Sequence, residues 1–534
     1  MNLVILSLFV FVASVFGVWV VRQLAMKYGW VVQPRSDRWH TKATALYGGV
    51  GFYPAFLLGV LVAFVMYFPN NLAASLIAEN VWVKEGIAVL AGSLVMFILG
   101  GLDDLKQFSP VTKLLVQLIA TSFAVAAGIV IPLTDVQIFN ILMTYFWFVG
   151  IINAVNMLDN MDGLSSGIVF IAAGTIAILS GMVPHSNLLG IPIALSLMAA
   201  LLGFWFYNRP PASIFMGDSG SLFIGYVLAS LAIPNELNGY FGIVNPKPTE
   251  LSLLALLIPA TIVAMPIFDT TLVTITRKWR AQKASQGGRD HSSHRLLLLG
   301  FKEKQVLLVF YTMALLGGLV AVGMQHYTDY SLLLFSAFVV LMLLIGIYLT
   351  RTTAQKIIKS DMTPPTWTPF VNLLLHNWYF GMIMLDMIFI IACYYGAYLL
   401  RFYGVLSVQI FESVAKTIPI VVVACLVAFF IAGIYRVQWY FISVPDISRY
   451  ILGVTGGVIL SLAIVVIVTR FEAGQSRGAY LIFGLLLFIV VVASRLSFRF
   501  FDHMLNTQLK KSQSGIDTPV LIYGAGKGGK ILLE

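Results

Sequence analysis

About fifteen apolar stretches run through this chain, near 3–24, 47–68, 86–102, 111–133, 138–155, 163–183, 189–206, 219–234, 252–275, 305–325, 331–350, 376–400, 417–435, 450–469 and 478–498. Each is close to the length that crosses a bilayer as a helix. Hydrocarbon offers no partner to a free backbone N–H or C=O, so such segments must satisfy their hydrogen bonds internally. The expected fold is therefore an all-α polytopic membrane protein. Composition agrees: 59% of the 534 residues are hydrophobic and only 10% are charged, against roughly 45–50% apolar in soluble domains. No basic region precedes the first stretch and no small-residue cleavage site follows it, so it reads as a retained span rather than a signal peptide.

The net charge of +10 is a topology signal, not a nucleic-acid footprint. With the N-terminus outside, the loops at 22–46, 103–113, 207–218, 277–304, 351–375, 436–449 and beyond 495 face the cytoplasm. They hold about 27 of the 33 Lys and Arg residues, which is the bias that orients membrane proteins. Cys393 and Cys425 both lie in apolar spans and read as packing residues.

The Pro-rich stretch inside 351–375 divides the chain. Residues 1–350 hold eleven spans, 351–375 form a cytoplasmic linker and 376–505 hold four more spans. Residues 506–534 run from a polar linker into VLIYGAGKGGKILLE, where Gly524, Gly526 and Gly529 have the G-x-G-x-x-G spacing after a strand-like run. That spacing suits a dinucleotide pyrophosphate at a helix N-terminus. With only five residues after Gly529, what is expected here is the truncated start of an α/β Rossmann domain. Asp386, inside span twelve, is expected to pack or to pair with a polar neighbour.

Five carboxylates lie where hydrocarbon makes charge expensive: Asp103 and Asp104 in GGLDDL, Asp159 and Asp162 in NAVNMLDNMDGL, and Asp218 in FMGDSGSLFIGY. All fall at span ends on the side assigned to the cytoplasm. Two adjacent carboxylates repel unless a cation or a lysine stabilises both, and Lys106 and Lys113 are near; a solvated helix-end pair is the plainer alternative. Asn153, Asn156 and Asn160 recur along one helical face beside Asp159 and Asp162. Hard oxygen ligands of this kind suit magnesium, which takes one or two carboxylates together with substrate phosphates. Asp218, followed by Ser219 and Ser221, fits a helix cap and a metal ligand equally well. In RDHSSHRLLLLG, His291 and His294 stand three apart between Arg289 and Arg295. No third zinc ligand is near, so a phosphate clamp or an ordinary basic surface loop is expected. Arg38, His40 and Lys42 precede Gly48-Gly49 in a loop that is basic for topological reasons and can also meet phosphates.

In this order, the KATALYGG loop, LDDL, NAVNMLDNMDGL, NRPPA with FMGDSGSL, PIFDT (Pro266, Asp269) and HSSH resemble the polyprenyl-phosphate sugar-1-phosphate transferase superfamily. That superfamily includes WecA-like N-acetylglucosamine-1-phosphate transferases and the MraY phosphotransferase. The resemblance implies transfer of a sugar-1-phosphate, such as that of an N-acetylhexosamine, from a UDP-sugar to undecaprenyl phosphate, with UMP released. It implies Mg2+ or Mn2+, a bacterial cytoplasmic membrane, an active site facing the cytoplasm and a product that starts a surface polysaccharide. Carried over by motif, Asp103 and Asp104 stand at the catalytic centre, Asp218 binds metal, and Asn156 and Asp159 lie in the nucleotide and metal site. Asn153 stands in the same substrate-binding run. Asp162 would recognise uridine, Asn208 the diphosphate, and Lys42 would lie near the nucleotide. His291 and His294, flanked by Arg289 and Arg295, would contact phosphate or sugar.

The chain departs from that pattern at Asn160, where Gly is usual, at Ala45, where Pro is frequent, and at HSSH in place of a His-rich run. From about 376 on, YLLRF, GIYRVQWYFISVPDISRY and VLIYGAGKGGK resemble the membrane part of CapD/WbpM-like nucleotide-sugar epimerase/dehydratases. That likeness implies NAD(P) for a catalytic domain beyond residue 534. Two rival functions are such a dehydratase or epimerase, with the spans as an anchor, and a lipid-sugar transporter or flippase.

Overall fold

The computed structural model describes residues 3–32, 43–67, 81–182, 189–233, 256–279, 290–357, 379–404, 406–436, 444–470 and 475–512. The apolar stretches become helices: α1 (Leu3–Tyr28), α2 (Gly48–Tyr67), α3 (Val81–Lys106), α4 (Pro110–Ala127), α5 (Gln137–Leu158), α6 (Leu164–Gly181) and α7 (Gly190–Asn208). After the short α8 (Asp218–Ala232) come α9 (Leu256–Ile262), α10 (Ala264–Trp279), α11 (Ser292–Leu298), α12 (Glu303–His326) and α13 (Ser331–Ile357). The last four are α14 (Tyr379–Arg401), α15 (Val408–Ile431), α16 (Val444–Thr469) and α17 (Arg477–Ser512).

Among the described residues, 13 helices are long and apolar enough to cross a membrane. Two expected spans take another form. The stretch near 219–234 is the 15-residue α8. The stretch near 252–275 is two helices meeting at 80°. Pro266 supplies a cause: it has no N–H to give the carbonyl four residues back, and its ring crowds that carbonyl, at Ile262 where the first helix stops.

Although short, α8 is the pillar of the first bundle. Every residue from Ser219 to Ala232 is buried, and α3, α5 and α2 pack around it. Small residues make this possible. A Cβ on Gly49 would lie 2.3 Å from the Gly220 nitrogen, and one on Gly100 would lie 2.2 Å from the Asp218 carbonyl oxygen. The glycine pairs in LYGG and LGGLDDL thus bring three backbones into contact at one end of the bundle. There the chain also pairs strands β1 (Val31–Val32) and β2 (Thr44–Ala45) antiparallel, and β2 bridges to Ile214. Backbone bonds from Gly48 to Phe215 and from Gly49 to Met216, at 2.8 and 2.9 Å, complete the junction.

A second apolar core is built from α14 to α17. It meets the first bundle where α14 packs on α13, and the Tyr395 hydroxyl donates to the Asp329 carbonyl at 2.9 Å. Asp386, on α14, is fully buried and pairs with Arg495 of α17, whose Nη2 lies 2.6 and 2.7 Å from its two carboxylate oxygens. This is the pairing with a polar neighbour expected of an acid in an apolar span. The glycines of the G-x-G-x-x-G segment, Gly524, Gly526 and Gly529, lie outside the described residues, as does most of the 351–375 linker.

Removing one partner of a buried ion pair leaves an uncompensated charge, at a cost of about 3–5 kcal/mol, whereas replacing both with apolar residues is often neutral. Asp386→Leu alone and Arg495→Met alone are therefore expected to lower the thermal midpoint of the detergent-solubilised protein, and the double variant to recover most of the loss. A double variant as unstable as the two single losses combined would show that the pair does not act as a unit.

Candidate active site

The C-terminal ends of α3 and α5 and the N-terminal ends of α4 and α8 converge at the glycine-lined junction. Asp103 and Asp104 lie in the last turn of α3. The chain then turns sharply through Gln107 and Ser109, whose side chain caps α4 ahead of Pro110. Capping starts α4 at once, and its first turn carries Lys113 back onto the acids. Lys113 Nζ lies 2.5 Å from Asp103 Oδ2 and 2.9 Å from Asp218 Oδ2. One ammonium therefore bridges carboxylates 115 residues apart in sequence. The other oxygen of Asp103 accepts from the Phe108 N–H at 2.7 Å.

Asp104 faces the N-terminus of α8. Its two oxygens accept from the Asp218 and Ser219 N–H groups at 2.8 and 3.1 Å. Gly217, at φ +77°, makes the entry to that helix, and a Cβ there would come 2.7 Å from Asp104 Oδ2. The cap expected of Asp218 is thus supplied across the bundle by Asp104. Negative charge is favourable at the N-terminus of a helix, where unpaired N–H groups concentrate positive potential. Released from capping, the Asp218 side chain accepts from Asn156 Nδ2 at 2.9 Å and from Lys113. Asn156 also donates to Ser221 at 2.8 Å. Tyr47, just before α2, is near enough for the charge of Asp104 to add to burial in raising its phenol.

Asp159 ends α5 and sits beside this cluster. Burial, reinforced by the charges of Asp218, Asp162 and Asp104, pushes its carboxyl up to about 8. The one lysine bridging Asp103 and Asp218 leaves Asp159 in a negative field, which a proton or another cation relieves.

The remaining candidates have defined places. Asn153 exchanges hydrogen bonds with Gln117 of α4, at 3.0 and 3.3 Å. Asn208 is buried, accepting from Gly163 N–H at 2.9 Å and donating to the Ile214 carbonyl at 3.0 Å. Asp162 accepts from the Ala212 N–H at 2.7 Å. Asn208 and Asp162 therefore tie the NAVNMLDNMDGL turn to the NRPPA loop. His291 and His294 are on or beside α11 and both are buried. Arg295 donates to the Asp290 carbonyl at 2.9 Å and to Thr276 at 2.7 Å. Asp290 itself is buried, but Arg277, at 2.8 Å to each carboxylate oxygen, holds its carboxyl below the usual range. The histidine segment reaches the acid turn through Ser293, whose hydroxyl donates to Asn160 Oδ1 at 2.7 Å. Lys42 and Arg289 lie outside the described residues.

Several functional-looking partners do not stand out in the motifs. Lys113 was legible only as a lysine near the Asp pair, and its bridging position depends on the α3–α4 turn. Gln117 has no local pattern that marks its partner, and Asp269, although it stands in the PIFDT motif, has none that points to His291.

A membrane bundle with this acid and lysine cluster at one end has multi-pass counterparts among known proteins. Residues 86–235, which include Asp103, Asp104, Lys113, Asp159 and Asp218, match glycosyl transferase family 4. A probable undecaprenyl-phosphate N-acetylglucosaminyl 1-phosphate transferase of Bacillus subtilis is 30% identical over 336 residues, covering 61% of this chain and 85% of the relative. A decaprenyl-phosphate N-acetylglucosaminephosphotransferase of Mycolicibacterium smegmatis is 30% identical over 331 residues, 57% of this chain and 76% of the relative. A phospho-N-acetylmuramoyl-pentapeptide-transferase of Staphylococcus carnosus is 29% identical over 312 residues, 55% of this chain and 90% of the relative. The chain belongs to glycosyl transferase family 4.

The raised Asp159 carboxyl has a consequence for stability. Native Asp159 keeps a proton up to about pH 8, while an unfolded chain releases it near pH 4 (about 3.9 for free Asp). The unfolded state then binds fewer protons, so stability falls as pH rises between those values. In a chelator, the thermal midpoint should drop from about pH 5 to about pH 9, and Asp159→Asn should flatten that slope. A slope unchanged in the variant would remove Asp159 as its source.

Proposed function

We propose that this protein transfers an N-acetylhexosamine-1-phosphate from a UDP-sugar to undecaprenyl phosphate, releasing UMP, at the cytoplasmic face of a bacterial inner membrane. The product would be the first lipid-linked sugar of a cell-surface polysaccharide. The observation that carries this reading is the Asp103–Lys113–Asp218 bridge, with Asp104 and Asp159 beside it, at the end of an apolar bundle. A phosphate carried on a membrane lipid can reach a site placed there.

An oxygen of the lipid phosphate attacks the sugar-linked phosphorus of the donor. A new P–O bond forms, the bond to UMP breaks, and UMP leaves with its electron pair. Both reactants are anions, so the barrier yields to alignment and charge neutralisation more than to covalent help. Lys113 is the cation of this cluster and can turn from the carboxylates to a phosphate oxygen. Asp104 supports the site by holding the N-terminus of α8, which fixes Asp218. The lipid phosphate is already ionised near neutral pH, and on this reading Asp103 would take any proton it retains.

The donor chemistry fits magnesium or manganese. Asp218, Asp103 and Asp159 are hard oxygen ligands, and magnesium commonly needs only one or two carboxylates when phosphates complete its shell. Among the described residues no group of three or more Asp, Glu, His or Cys side chains is arranged to hold a metal ion, so on this proposal substrate phosphates and water would have to supply the other ligands. Asp218 and Asp159 would hold the ion, which when bound would neutralise charge on the diphosphate.

The sequence likeness of the last four spans and the glycine segment suggests a nucleotide-sugar epimerase or dehydratase, using NAD(P), joined to this transferase. Such a fusion would set sugar modification beside sugar loading.

The reaction is tested with purified protein, undecaprenyl phosphate, a panel of UDP-sugars and magnesium, with UMP measured. Asp218→Asn and Lys113→Met are each expected to lower kcat by roughly 100- to 1,000-fold, the loss typical of removing one preorganised electrostatic group. A flippase would release no UMP, and a dehydratase would consume donor only with NAD(P). Absence of UMP from every sugar, or full activity in Asp218→Asn, would reject the transferase reading.

A further inference from the structure

Asp269 lies on α10 and is fully buried. A lone carboxylate there would be very costly, so its partners show what it is for. All three are on two consecutive residues. Its Oδ2 meets His291 Nδ1 at 2.8 Å. Its Oδ1 accepts from the Ser292 N–H at 2.8 Å and also from the Ser292 hydroxyl.

A carboxylate oxygen can only accept, so the proton of that contact belongs to His291 Nδ1. The ring is thereby held in one tautomer and one orientation, with Nε2 the nitrogen available to another group. The two bonds to Ser292 fix the start of α11, so the imidazole cannot swing away with its backbone. From the next residue, Ser293 reaches Asn160 in the acid turn at 2.7 Å. Residues 291–293 are thus anchored to α10 on one side and joined to the turn carrying Asp159 and Asp162 on the other.

We propose that Asp269 is a positioning residue for the transfer reaction, acting through His291 by presenting its Nε2 to the phosphate or sugar of the donor. This rests on the transferase reading above. It differs from a packing role in one respect: its contribution should vanish when His291 is absent.

The test is a double-mutant cycle on UMP release with an NMR measurement beside it. In the native background Asp269→Asn should lower kcat/KM by roughly 10- to 100-fold, the range found where the carboxylate that orients a metal-bound histidine is lost. In a His291→Ala background the same change should cost less than about 2-fold, because residues acting as one unit are not additive. Equal losses in both backgrounds would overturn the proposal. If Asp269→Asn does not fold, Asp269→Glu keeps the charge, displaces the oxygens, and enters the same cycle. In wild-type protein with 15N-labelled histidine, Nδ1 of His291 should carry the proton; a bare Nδ1 would also overturn the proposal. The spectrum needs no activity, so a protein that releases no UMP would reject the reaction and still leave the Asp269–His291 pair tested.

Discussion

Negative charge at the edge of an apolar bundle has to be answered, and in this protein the answer organises the first bundle. Lys113 bridges Asp103 and Asp218, while the N-terminus of α8 takes Asp104. Each contact joins a different pair of segments. The first draws the α3–α4 turn closed, the second carries it to α8, and the third lets α3 cap α8 across the bundle. The glycine junctions make these contacts reachable, because any side chain at Gly100 or Gly217 would occupy the space that Asp218 and Asp104 need.

The same economy extends to the loops. Asn208, Asp162 and Asn153 are polar groups at helix ends, and each is taken up by a backbone or amide partner. Asn208 is buried, where an amide without partners costs several kcal/mol, and its bonds together with that of Asp162 hold the acid turn to the NRPPA loop. Positioning through hydrogen-bonded side chains continues to Asp269, His291 and the Ser293–Asn160 contact. The result is a site in which few groups are free to relax, as catalysis by preorganised charge requires.

Much of the architecture was legible in the residues. Expected spans such as 3–24, 189–206 and 450–469 correspond to α1, α7 and α16 within a few residues, because unbroken apolar runs have one backbone solution in lipid. The stretch near 252–275 was legible as apolar but not as bent, since its break depends on a local proline and on packing. Asp386 was legible as an anomaly, but its partner 109 residues away was not. Of the candidate site, the acids stood out by type and setting. Asp218 looked equally like a cap and a ligand; the capping of α8 falls to Asp104, and the Asp218 side chain meets Asn156 and Lys113 instead. Lys113 and Asp269 were least legible, because each derives its role from contacts made by distant segments.

What the sequence determined by itself is the helical membrane class, the approximate spans and the residue types that carry charge, because hydrophobicity and hydrogen-bond need act locally along the chain. Only the tertiary structure decided which charges meet. Lys113 bridges two acids, Asp104 caps a helix it does not belong to, and Asp269 meets His291. Those choices rest on distances between segments far apart in sequence, and such distances follow from how glycine-lined helices pack.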